Sequence, residues 1–158
     1  MNKQNKKYIN RAIQLAEEGM NANTGGPFGC VIVKDDKIIS EGYNCVTSTN
    51  DPTAHAEIVA IRKACKNLNS FQLEGCSIYA SCEPCPMCLG AIYWARPDKV
   101  YFACTKSDAA QIDFDDQFIY DEMKKKYRDR SIKFIKVPSK NALRVFQKWE
   151  QKSDKIIY

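Results

Sequence analysis

Alternation of strand-like and helix-like segments predicts an α/β fold, a three-layer α/β/α sandwich on a central mixed sheet. Three observations carry this expectation. Short apolar runs such as Val31-Ile32-Val33 and Ile78-Tyr79-Ala80 alternate with stretches whose apolar residues recur at helical spacing. Loop-forming clusters separate them, as at residues 21–27 and 50–53. The chain has 158 residues, 44% hydrophobic and 27% charged, which suits one domain with a real core.

The elements follow in order. Ile9, Ala12, Ile13, Leu15 and Ala16 mark a helix from Tyr8 to Met20, ending before the loop Asn21-Ala22-Asn23-Thr24-Gly25-Gly26-Pro27. Phe28–Lys34 and Lys37–Cys45 read as strands joined by a tight turn at Asp35-Asp36. Asn50-Asp51-Pro52-Thr53 leads into a helix from about His55 to Asn67, with Ile58, Ile61 and Cys65 on its inner face. Ser77–Ser81 is a buried strand, residues 85–95 a second helix started by a proline, and Lys99–Cys104 another strand. Helices are expected at residues 116–127 and 141–152, flanking a short strand at Ile132–Val137. With no repeat, low-complexity tract or linker, residues 1–158 read as a single domain.

Charge and composition exclude several classes. No apolar run approaches the ~20 residues of a membrane span, and the first residues lead into no signal-peptide core, so the expected address is cytoplasmic. Net charge is +5, but the densest basic stretch, Lys124-Lys125-Lys126 with Arg128 and Arg130, is interleaved with Asp121, Glu122 and Asp129. That is the pattern of a solvated helix face, and nucleic acid is not an expected partner. The eight cysteines do not imply a disulfide scaffold, because several sit inside apolar runs where a free thiol packs as a small hydrophobe.

The chemistry concentrates in two segments. The sole histidine stands in His55-Ala56-Glu57, well ahead of Pro84-Cys85-Pro86-Met87-Cys88. An H-x-E segment followed by P-C-x-x-C supplies one imidazole and two thiolates for a zinc ion, plus a carboxylate that is not a ligand, the pattern of zinc nucleobase deaminases. Three protein ligands leave a position for water, which the metal acidifies into a nucleophile while Glu57 shuttles protons to the ring and the departing ammonia. Cys82 is the rival fourth ligand of a closed structural site, though it ends a strand and such a site leaves Glu57 without a role. Cys85 and Cys88 share a helix face, whereas His55 and Glu57 can both reach one ion only from the first turn of a helix. Two helix N-termini are therefore expected to converge on the metal, their positive ends favouring thiolate.

Across nearly its full length the chain resembles the bacterial guanine deaminases of the cytidine deaminase-like superfamily. The resemblance rests on Gly26-Pro27-Phe28-Gly29, residues 50–57, residues 81–95 and Phe114-Asp115-Asp116-Gln117-Phe118-Ile119-Tyr120. It implies a cytidine deaminase-like fold, one zinc ion per subunit, and hydrolysis of guanine at C2 to xanthine and ammonia. It also implies a homodimer whose C-terminal segment, about residues 138–158, is exchanged between subunits. Residue by residue, it places Asn44 and the Ala56 backbone against the purine, Phe28 beside it as an apolar wall, Asp116 on guanine's N–H groups or assisting loss of ammonia, and Tyr158 closing the pocket. Asp116 makes chemical sense, since N1–H and the C2 amine are neighbouring donors that one carboxylate can accept, whereas adenine offers an acceptor at N1.

Other readings stay open at this level. A tRNA adenosine deaminase shares the zinc motifs, a guanosine deaminase needs only room for ribose where Tyr158 is expected, and a zinc-stabilised binding protein needs no chemistry at all. Local readings compete too: Asn44 as a turn residue, Asp116 as a helix cap, Phe28 as core and Tyr158 as a frayed terminus.

Overall fold

Gly29–Lys34 (β1) and Lys37–Tyr43 (β2) form an antiparallel hairpin because Asp35 and Asp36 both take positive φ, 48° and 58°, as a type I′ turn requires. The hairpin extends into a four-stranded mixed sheet of order β2-β1-β3-β4, in a computed structural model that describes residues 3–158. Cys76–Cys82 (β3) pairs antiparallel with β1, and Lys99–Cys104 (β4) pairs parallel with β3. A parallel neighbour needs a crossover, and Pro86–Ala95 supplies it. A register shift between Ile32 and Val33 bends β1 against β2.

Helices cover both faces of this sheet. Lys3–Asn21 (α1) packs Tyr8, Ile9, Ala12 and Leu15 on one face against Val31, Val33 and Tyr79. After the short helix Val46–Thr49 (α2), Ala56–Leu68 (α3) and Pro86–Ala95 (α4) cover the other face, burying Ala56, Ala60, Ala64, Ile92 and Ala95 on Cys30, Ile32 and Ile78. The expected α/β/α layering with a mixed sheet is present. Most expected elements differ at their ends by a few residues; α1 is longer, and residue 28 lies just outside β1.

Close packing on both faces depends on two glycines of the hairpin. A Cβ on Gly42 would lie 2.5 Å from the Ala56 carbonyl oxygen and 2.8 Å from the Ala60 nitrogen; on Gly29 it would lie 2.1 Å from the Ala12 carbonyl oxygen. These neighbours are backbone and cannot rotate away. Gly42→Ala is therefore expected to lower stability by about 1–3 kcal/mol, a fall of roughly 5 °C in the melting temperature. Gly90→Ala is the control: it lies in α4 with nothing within 4 Å of an added Cβ, so calorimetry should find it neutral or stabilising.

The chain divides into two compact units, the first running to Asp116 and the second covering Gln117–Tyr158. The first ends with Lys106–Ala110 (α5), a short helix the sequence reading missed. The second holds Gln117–Lys124 (α6), a 3-10 turn at Tyr127–Asp129 and Lys140–Gln151 (α7), with no buried residue in any of them. Glu122 accepts hydrogen bonds from the Ser131 nitrogen and hydroxyl, and the Arg130 guanidinium lies over the rings of Tyr127 and Phe134.

The strand expected at Ile132–Val137 is absent. The segment is irregular, with Ile132, Phe134, Ile135 and Val137 all exposed. Its β-branched composition favours extended backbone, but a strand exists only through a neighbour's hydrogen-bond ladder, and none is supplied among the described residues. No helix among the described residues is long and apolar enough to cross a membrane.

Candidate metal centre

Two loops end in the same way, each delivering a metal-ligating side chain at a helix start. Asp51 accepts hydrogen bonds from the Thr53 nitrogen and hydroxyl, and the Cys45 nitrogen donates to the Ala54 carbonyl, so the approach to α3 is stapled to the end of β2. His55 then occupies the N-cap position with extended backbone (φ −67°, ψ 157°). At α4 the same place is taken by Cys85 (φ −65°, ψ 169°), with Pro86 as the first helical residue. Neither makes the side-chain capping hydrogen bond usual at that position, and both point at a shared centre. The expected pair of helix N-termini meeting at the site is what the structure shows.

There His55, Cys85 and Cys88 come together, with one ligand atom from each lying within 4.8 Å of the others. Cys85 Sγ is 3.5 Å from His55 Nδ1, and Cys88 Sγ donates to Glu57 Oε2 at 3.4 Å. Cys88 is fully buried and Glu57 nearly so, whereas His55 and Cys85 are half-buried at the mouth. Hydrogen bonds from Cys88 and His55 hold Cys85 as a thiolate with a pKa of about 4, against the opposing effect of burial. The bond to that thiolate, burial and the nearby Glu57 carboxylate together raise Cys88. Burial also pushes the Glu57 carboxyl upward, and the bond to Cys85 raises His55.

This donor set fits zinc. Bonds of about 2.3 Å to sulfur and 2.0 Å to nitrogen put tetrahedral ligand atoms roughly 3.3–3.8 Å apart, and the Cys85–His55 separation of 3.5 Å already matches such an edge. Three donors with no fourth among the described residues make an open site. Cys82, the rival fourth ligand, is not in the cluster; its thiol donates to the Thr105 carbonyl at 3.4 Å across the β3–β4 ladder.

The remaining expected residues divide into those near the centre and one in the other unit. Ala56 is buried beneath the start of α3. Phe28 is partly buried, packs on the core cluster that includes Ala56, and meets Phe114 edge-on at 4.9 Å between ring centres. Asn44 is buried and does serve as a turn residue, its Oδ1 accepting from the Val46 nitrogen, while its own nitrogen donates to the Phe28 carbonyl. Asp116 is half-buried, and burial, with the Cys85 thiolate second, raises its carboxyl. Tyr158 lies exposed in the second unit.

One contributor escaped the sequence reading. Glu83 Oε2 accepts from the Lys106 nitrogen at 3.0 Å, and the Glu83 nitrogen donates to the Cys104 carbonyl, so the loop carrying Cys85 is tied to the start of α5. Its place inside Ser81-Cys82-Glu83-Pro84-Cys85 was the available signal.

Residues 2–104 match the family described as the cytidine and deoxycytidylate deaminase zinc-binding region. The guanine deaminase of Bacillus subtilis (strain 168) is 56% identical over 151 residues, 96% of this chain and 97% of that one. The X-ray structure of guanine deaminase from that organism superposes with a TM-score of 0.95 at 55% identity, covering 100% of this chain and 99% of that one. The tRNA-specific adenosine deaminase of Aquifex aeolicus (strain VF5) is 49% identical over 77 residues, 49% of this chain and 51% of that one.

Proposed function

For a chain that belongs to the cytidine and deoxycytidylate deaminase zinc-binding family, we propose hydrolytic deamination of guanine to xanthine and ammonia at the His55-Cys85-Cys88 centre. The observation that carries the choice of substrate is the extent of likeness. Similarity to guanine deaminase runs the full chain, through Asp116 and into the C-terminal unit, while similarity to a tRNA adenosine deaminase covers about half.

Zinc held by the three residues supplies Lewis acidity that makes water a nucleophile near neutral pH. Everything else falls to side chains of this chain. Glu57, buried against Cys88, takes the proton that water gives up and passes it to the ring nitrogen, then carries a second proton, from the hydroxyl added at C2, to the departing amine. Burial suits it to this exchange, since it raises the carboxyl above its usual range and makes it a readier proton acceptor. Asn44 and the Ala56 backbone hold the purine edge, with Phe28 against its face. Asp116 accepts from N1–H and the C2 amine, an arrangement that leaves an unpaired charge against adenine.

Asp116→Ala is accordingly expected to lower kcat/KM for guanine about 100-fold while zinc content stays stoichiometric. Unchanged kcat/KM in the zinc-loaded variant removes Asp116 from the pocket.

The protein acts as a cytoplasmic homodimer in guanine catabolism, with residues 138–158 exchanged so that Tyr158 closes the partner's pocket. Apolar side chains left exposed support the assembly: Leu89, Tyr93 and Trp94 on α4, and Leu143, Val145, Phe146 and Trp149 on α7. The test of function is ammonia release by the zinc-loaded protein from guanine, with guanosine and adenosine-containing tRNA in parallel. Release from guanine alone is expected. Release only from guanosine or tRNA overturns the pocket assignment, and the mass of the assembly in solution checks the dimer.

A further inference from the structure

We propose that Phe114 is a second aromatic wall of the purine site, set perpendicular to Phe28 so that the two rings form a corner for a planar bicyclic base. The proposal rests on the guanine reading above. The rings are 4.9 Å apart at an interplanar angle of 87°, an edge-to-face pair, so they do not cover each other's faces. Phe28 packs on the core cluster that includes Ala56, the residue between His55 and Glu57 in sequence, and its carbonyl accepts from the Asn44 nitrogen. Phe114 precedes Asp116 by two positions, and the carboxyl of Asp116 feels the Cys85 charge. The corner is thus built on the segments that carry Asn44, Ala56 and Asp116, the residues already assigned to the purine.

Phe114 is held in place by several independent contacts. Its nitrogen donates to the Ala109 carbonyl at 3.1 Å and the Asp113 nitrogen to the Ala110 carbonyl at 3.3 Å, with Asp113 left-handed at φ 67°. This closes the C-terminus of α5. At the other end Thr105 and Asp108 form a reciprocal cap, and Glu83 receives the Lys106 nitrogen, so α5 is anchored to the loop that carries Cys85. Gly26 leaves the space the rings need: a Cβ there would lie 2.7 Å from Phe114 Cζ and 3.0 Å from Phe28 Cε2. Despite these ties, 45% of Phe114 is exposed. A ring fixed so firmly and left uncovered is suited to stack on a flat apolar surface that arrives from solution, and a nucleobase offers one on either face.

Steady-state kinetics on the zinc-loaded full chain test this, alongside zinc content and melting temperature. Phe114→Leu keeps the bulk and removes the aromatic face, and should raise KM for guanine about tenfold with kcat within about twofold of wild type. Phe114→Tyr keeps the ring and should restore KM to within about twofold. Gly26→Ala displaces the ring and should raise KM in the same direction. A wild-type KM in Phe114→Leu, or Phe114→Tyr no better than Phe114→Leu, overturns the assignment while leaving guanine deamination standing. A wild-type protein that releases no ammonia from guanine overturns both.

Discussion

Glu57→Gln is expected to bind zinc stoichiometrically and to lose kcat by about 1,000-fold, within the range that removal of a positioned acid–base group produces. The carboxamide is nearly isosteric with the carboxylate, so the buried packing at the start of α3 survives. What the amide lacks is a basic site to receive a proton. The residue's position makes a substitute hard to find: Glu57 is 8% exposed, whereas Asp116 is a half-buried carboxylate on the loop after α5. Metal analysis by mass spectrometry and ammonia release measured together decide the matter. Wild-type turnover in zinc-loaded Glu57→Gln would assign the proton transfer elsewhere.

Cys85→Ala and His55→Ala should instead fail before the chemical step, retaining less than about a tenth of stoichiometric zinc and no measurable turnover. Cys85 is the ligand most prepared for the ion, since hydrogen bonds from Cys88 and His55 already hold its sulfur as an anion at neutral pH. Removing it leaves two donors, and the cluster holds no replacement among the described residues. Cys82 is engaged with the Thr105 carbonyl, and Glu57 is the proposed proton carrier. The contrast with Glu57→Gln is the informative part: one variant keeps metal without turnover, the others lose both. Stoichiometric zinc in Cys85→Ala would show that the ion is held by a different set of atoms.

Much of this arrangement was legible before any coordinates. Gly, Pro, Asn and Asp clusters punctuated the chain where α1, β1, β2 and α3 begin and end, because left-handed and proline-fixed backbone is a local property. The two-residue spacing of His55 and Glu57 demanded a helix start, and Pro86 announced another. Ile132–Val137 misled for the opposite reason: extended propensity is local, but strand pairing is not, and no ladder reached the segment. The short helix α5 was hidden because its stability comes from a Thr105–Asp108 cap and a contact from Glu83, distant in sequence by more than a strand. Phe114 stood in a segment that carried the resemblance, but its pairing with Phe28, distant in sequence, was not readable there.

The N-cap placement of His55 and Cys85 has a thermodynamic consequence for the protein as a folding unit. A helix start ordinarily gains about 1 kcal/mol from a Ser, Thr, Asp or Asn side chain that satisfies its first amide groups. Both α3 and α4 forgo that contribution, because the positions that would provide it are committed to reaching the centre. Maximum helix stability and the reaction thus compete for the same two residues. Selection for thermal robustness alone would drive those positions toward capping side chains and erase the centre, so the marginal starts of these helices are a signature of the function.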